Sequence, residues 1–84
     1  MSSLAEKRSV TAIDAAIGRN IMAERKRHGL TCEDVAVDLD VSAWQVSKYE
    51  QGRTRVTAAR LFLYAQLFKV PVSRFYRGIE VHHG

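Results

Sequence analysis

The sequence predicts an all-α protein, a compact bundle of five short helices. Three observations carry that expectation. Ile13, Ile17 and Ile21 recur every four residues and draw one apolar stripe along a helix. Thr31, Ser42 and Thr57 each stand just before a helical pattern, where a hydroxyl can cap the first turn. No stretch alternates apolar and polar residues as a half-buried strand would. A chain of 84 residues supports one small domain. The organisation expected is a flexible arm or frayed helix start over 1–11, the domain over 12–77, and a tail over 78–84.

Taken in order, the first helix runs over 12–28 and stops at His28-Gly29, with Gly29 as its C-terminal cap. Thr31 caps a second helix from about Cys32 to Leu39, where Glu33 and Asp34 suit the positive end of the helix dipole. Val35, Ala36 and Leu39 form its buried side. Asp40-Val41 leaves room only for a tight turn, and Ser42 opens a third helix over 43–51 that Gly52 ends. Thr57 caps a fourth helix of about 58–69, with Leu61, Leu63, Tyr64, Ala65, Leu67 and Phe68 as its apolar surface. Pro71 fits the first turn of a fifth, over about 71–77.

Charge is unevenly distributed. The net charge is +4, but residues 1–40 hold six Lys/Arg against seven Asp/Glu, whereas residues 41–84 hold seven against two. A basic half suits a polyanion. Cys32 is the only cysteine, so no disulfide forms within the chain and a thiolate metal site lacks its ligands. There is no apolar run of membrane-spanning length, and Met1 to Arg8 has no signal-peptide character; a cytoplasmic protein is expected. His82-His83 reads as part of the tail, not as a metal site. No nucleophile–base arrangement, glycine-rich phosphate loop or paired carboxylates occur, so neither an enzyme nor a cofactor or small-molecule ligand is expected.

Two short helices joined by a three- to four-residue turn must cross steeply, which is helix-turn-helix geometry. At the helical period, Val46 and Tyr49 of the third helix fall on one side, while Trp44, Ser47, Lys48 and Gln51 fall on the other. The first pair suits a core. The second set carries no acid and can bond or stack on base edges in a major groove about 12 Å wide. Lys48 suits guanine O6/N7, Ser47 several bases, and Ala43 or Trp44 a thymine methyl.

Residues 17–76 resemble the phage-repressor and Cro-like helix-turn-helix family, also called the xenobiotic-response-element (XRE) family, with a lambda-repressor-like DNA-binding domain. The resemblance rests on Ile17-Gly18, Arg25, Gly29-Leu30-Thr31, Val35-Ala36, Leu39, Val41-Ser42, Val46-Ser47-Lys48, Glu50, Gly52, Leu61, Ala65, Leu67 and Val70. It implies that the third helix is the recognition helix and that Ala43, Trp44, Ser47 and Lys48 read bases. Thr31 and Cys32, at the start of the second helix, would meet a phosphate. Ser42, Gln45, Gln51, Arg53 and Arg55 would flank the groove on phosphates or sugars. Arg25 and Glu50 match a structural charge pair linking the first helix to the end of the third. Three departures stand out: Cys32 replaces a frequent Gln, Asp40 a usual turn Gly, and Trp44 is large for a reading position.

The function expected is therefore a sequence-specific regulator of transcription, a repressor, binding double-stranded DNA. Lys48, Arg53, Arg55 and Arg60 supply the phosphate-facing charge. Val72, Phe75, Tyr76 and Ile79 form more apolar surface than so small a domain hides, which suggests a two-fold homodimer reading a palindrome with recognition helices about 34 Å apart. The competing reading is an antitoxin or adaptor whose main partner is another, toxin-like protein.

Overall fold

The computed structural model describes the backbone of residues 3–79 and the side chains of residues 11–79. Helices α1 (Ser3–Arg27), α2 (Cys32–Leu39), α3 (Ala43–Glu50) and α4 (Ala58–Phe68) are followed by a 3₁₀ turn (Val72–Tyr76), and the described residues contain no strand. Residues 3–11, expected as an arm or a frayed start, continue α1. Residues 80–84, with His82-His83, lie outside the described residues.

All three hydroxyl caps form. Thr31, Ser42 and Thr57 each accept from the backbone N–H three residues on, at 3.0–3.2 Å. Each such cap contributes about 1 kcal/mol. The four α-helices also end alike. Gly29, Asp40, Gly52 and Lys69 take the left-handed conformation, with φ between 55° and 72°. In each case the next residue's N–H bonds back to the carbonyl five residues earlier: Leu30 to Arg25, Val41 to Ala36, Arg53 to Lys48 and Val70 to Ala65. Two of these ends use glycine. The other two hold a side chain in this conformation, which Asp40 tolerates better than most residues and which costs Lys69 about 1–2 kcal/mol.

The expected fifth helix is a single 3₁₀ turn. Its five residues are too few for an α-helix to repay nucleation, and Asn20 Nδ2 caps it by donating to the carbonyls of Phe75 (2.8 Å) and Arg77 (2.9 Å). Phe75 is fully buried. Its assignment to a dimer face is therefore corrected, because it closes the protomer's own core. That core comprises Ile21 of α1, Val35, Ala36 and Leu39 of α2, Val46 and Tyr49 of α3, Leu61, Tyr64, Ala65 and Phe68 of α4, and Phe75. Tyr64 lies at its centre, stacked on Phe68 at 5.9 Å and edge-on to Tyr49 and Phe75. Ile13, at the far end of the stripe, stays 38% exposed, and Leu63 faces out to the same degree.

Candidate nucleic-acid interface

Placement of α3 starts at Gly18. A Cβ there would collide with the carbonyl oxygens of Tyr49 and Glu50. The last turn of α3 thus crosses α1 with backbone nearly in contact. At the same crossing Arg25 Nε donates to Glu50 Oε2 at 2.6 Å and Nη2 to Oε1 at 3.0 Å, while Nη1 donates to the Leu30 carbonyl at 2.9 Å. The paired geometry uses the planar guanidinium fork, and the hydrogen bond to Glu50 pushes the Arg25 pKa further up. Glu50 is only 6% exposed. The single acid of α3 is thereby turned inward and neutralised.

What α3 leaves outside is polar, aromatic and basic. Val46 and Tyr49 are buried, whereas Trp44 is 62% exposed. Lys48 Nζ lies 5.9 Å from the centre of the Trp44 ring. Gln51 Nε2 donates to Ser47 Oγ at 2.8 Å. Ala43 is half-buried, with its methyl group against the core. Arg53 is exposed just beyond the helix. Lys48 and Arg53 give this end a positive potential that no exposed acid of α3 cancels.

The flanking residues are placed less uniformly. Ser42 Oγ is occupied in capping the Gln45 N–H. Gln45 is half-buried, and its amide nitrogen is covered without a partner among the described residues. Arg55 bonds through Nε to both carboxylate oxygens of Asp14, at 3.1 and 3.3 Å. The Arg55 side chain is 67% exposed and Asp14 17%, so water screens the pair from the arginine side and it is worth about 1 kcal/mol. At the start of α2, Thr31 and Asp34 form a reciprocal capping box in which the Asp34 carboxylate accepts the Thr31 N–H. The hydrogen bond from that backbone N–H holds the Asp34 carboxyl below the usual range. The helix start is thus already partly served by an internal anion. The Cys32 side chain packs against the core, and burial pushes its thiol pKa up, so it remains a neutral thiol.

Several positioning residues had no part in the sequence reading. Glu24 is 5% exposed and accepts from Arg27 at 2.7 Å and from Arg74 of the 3₁₀ turn at 3.1 Å. Its one sequence signal is its place, three residues beyond Ile21 on the same apolar stripe. Asn20, Asp14 and Arg74 meet partners 41 or more positions away in the chain, which no local pattern reveals.

Comparison with known proteins agrees with this geometry. A family model described as helix-turn-helix matches residues 21–75, from the second half of α1 through Phe75. The chain is 33% identical over 75 residues to an uncharacterized transcriptional regulator in the ATPase CF(0) region of Rhodospirillum rubrum, covering 89% of this chain and 69% of that protein. It is 36% identical over 70 residues to an uncharacterized HTH-type transcriptional regulator of Sinorhizobium medicae, covering 83% of this chain and 50% of the relative. A further such regulator, from Rickettsia conorii, is 32% identical over 71 residues, with 84% and 57% covered. The chain therefore spans about half to two thirds of the length of these relatives. On the family match and these identities together, the chain belongs to the XRE-type helix-turn-helix family.

Proposed function

We propose that this chain is a sequence-specific DNA-binding regulator of transcription that lays α3 in the major groove, and that it represses by occluding a promoter as a homodimer on a palindromic site. The observation that carries the reading is the open face of α3. It presents the exposed Trp44 and Gln51 with the half-buried Ser47 and Lys48, while Glu50 is buried in its pair with Arg25. The relatives' names, all of transcriptional regulators, support the same reading. Lys48 and Arg53 take phosphates or base edges directly. Arg55 joins them by exchanging the weak Asp14 contact for a phosphate, which its exposure permits.

In this reading the second copy sits beside the open groove of about 420 Å³ lined by Ile13, Asp14 and Ile17 of α1 and by Arg55, Val56, Ala58, Leu61 and Tyr76, and contacts its apolar part so that Arg55 stays free for phosphate. Val72 and Tyr76 are exposed and Ile79 half-buried, which leaves these three for the two-fold contact once Phe75 is withdrawn. Val37 and Phe62, exposed on α2 and α4, favour a second reading in which another protein is a partner.

The test is selection of duplexes from a random pool by the full chain, followed by fluorescence anisotropy at several salt concentrations. Symmetric sites, a dimer in sedimentation, and at least a tenfold loss for the Lys48→Ala, Arg53→Ala double variant are expected. Equal binding by the double variant would overturn the groove geometry, and asymmetric sites bound by monomers would overturn the dimer.

A further inference from the structure

We propose that Trp44 and Lys48 act as one recognition unit for a guanine lying within two base pairs of a 5-methylated pyrimidine, thymine or 5-methylcytosine; the inference rests on the DNA-binding reading above. The two residues are four apart on α3, where side chains lean toward the helix start, so Lys48 reaches back over the indole. The ammonium lies 5.9 Å from the ring centre. That cation–π contact favours a spacing of about 6 Å between a cationic head and an apolar plate. Bases along one strand are about 3.4 Å apart, so a pair held at this spacing covers edges one or two steps from each other.

Chemistry then selects the bases. An ammonium only donates, and guanine alone offers two major-groove acceptors with no donor between them. An indole has no acceptor, and most of its exposed edge is apolar. The apolar feature of the major groove is the C5 methyl of thymine, which 5-methylcytosine also carries. The neighbours do not compete for this role. Ser47 and Gln51 are hydrogen-bonded to each other and offer neither a cation nor an apolar plate, and Ala43 is short and turned against the core.

The experiment uses a duplex that the full chain recovers from a random pool. Copies carry single deoxyuridines for thymine, 5-methylcytosine·guanine for thymine·adenine, or 7-deazaguanine for guanine. Anisotropy is measured for the wild type, Trp44→Ala, Trp44→Leu and Lys48→Ala, with thermal melts confirming that each variant is folded. One deoxyuridine should weaken wild-type binding about fourfold, the factor that burying one methyl group corresponds to, and 5-methylcytosine there should restore it. Trp44→Ala should be indifferent to that change and Trp44→Leu should keep it. A 7-deazaguanine within two base pairs should weaken the wild type but not Lys48→Ala. Deoxyuridine without effect at every position, or with the same penalty in Trp44→Ala, overturns the proposal while leaving DNA binding standing. Failure of the wild type to retain any duplex at low ionic strength overturns the DNA-binding reading itself, and this inference with it.

Discussion

Glu24 and Arg25 are neighbours on α1, yet they fasten different elements of the domain. Arg25 reaches α3, pairing twice with the buried Glu50. Glu24 reaches the 3₁₀ turn, accepting from Arg74 and from Arg27 on its own helix. In the first cluster both side chains are largely covered, at 14% and 5%. In the second the acid is covered but its partners are not, with Arg27 57% and Arg74 29% exposed. The difference is one of consequence. A cation freed in the first cluster is stranded in a dry place; a cation freed in the second turns to water.

Glu50→Ala tests that contrast most severely. It leaves the Arg25 guanidinium covered and unpaired, a situation that costs about 3 kcal/mol or more. Urea unfolding should show a loss of that size. Duplex affinity, measured where the variant is still folded, should also fall, since the end of α3 loses its anchor. A loss under 1 kcal/mol would mean that the two clusters do not differ.

Gly18→Ala addresses the same crossing without touching a charge. The added methyl group meets two backbone carbonyls, which yield less readily than a side-chain tip. Forcing them apart should cost about 2 kcal/mol in urea unfolding. An unchanged midpoint would show that α1 and α3 are free to separate.

On the other side, Glu24→Gln should cost about 1 kcal/mol, because both arginines gain water in exchange for the lost bonds. The sharper readout is pH. Burial pushes the Glu24 carboxyl up, but the bonds from Arg27 and Arg74 outweigh it and hold the group below its ordinary value. A carboxyl depressed in the folded state adds stability above its unfolded pKa, about 4.3 for glutamate, and loses it as pH falls through the folded value. Wild-type stability should therefore decline below about pH 4.5, and Glu24→Gln should flatten that decline. Parallel curves for the two proteins would remove Glu24 from the acid response.

This contrast also marks what the sequence could disclose. The helix starts were legible because Thr31, Ser42 and Thr57 act on N–H groups three residues away, and α2 matches its expected bounds, Cys32 to Leu39. The sides of α3 followed from periodicity, since burial of Val46 and Tyr49 leaves Trp44 outside. Arg25 and Glu50 were matched through the family pattern, while Glu24 and Arg74, fifty positions apart, had neither periodicity nor motif to join them. The burial of Phe75 is hidden in the sequence for a related reason. Its side depends on the 3₁₀ turn, and that turn is held by Asn20 from a distant helix. Cys32 and Asp34 carry the local signal of a helix start, but only coordinates place the thiol against the core and the carboxylate on the Thr31 N–H.

The two clusters are joined by rings, not by polar contacts. Tyr49 on the α3 side meets Tyr64, which stacks on Phe68, and Phe68 in turn stacks on His28 at 5.2 Å, beside Glu24. Tyr64 has a hydroxyl that could couple them differently, yet it is buried without a hydrogen-bond partner among the described residues. Burial pushes its pKa far up, so it stays protonated across the range in which the protein is folded. An unpartnered buried hydroxyl carries the desolvation cost of a polar group without the return of a bond. Tyr64→Phe should therefore leave stability unchanged or raise it by up to about 1 kcal/mol, with no change in duplex affinity, when urea midpoints and anisotropy are compared. A clear loss on that substitution would mean that the hydroxyl is bonded in solution, on the side of the core where Glu50 and Arg25 lie.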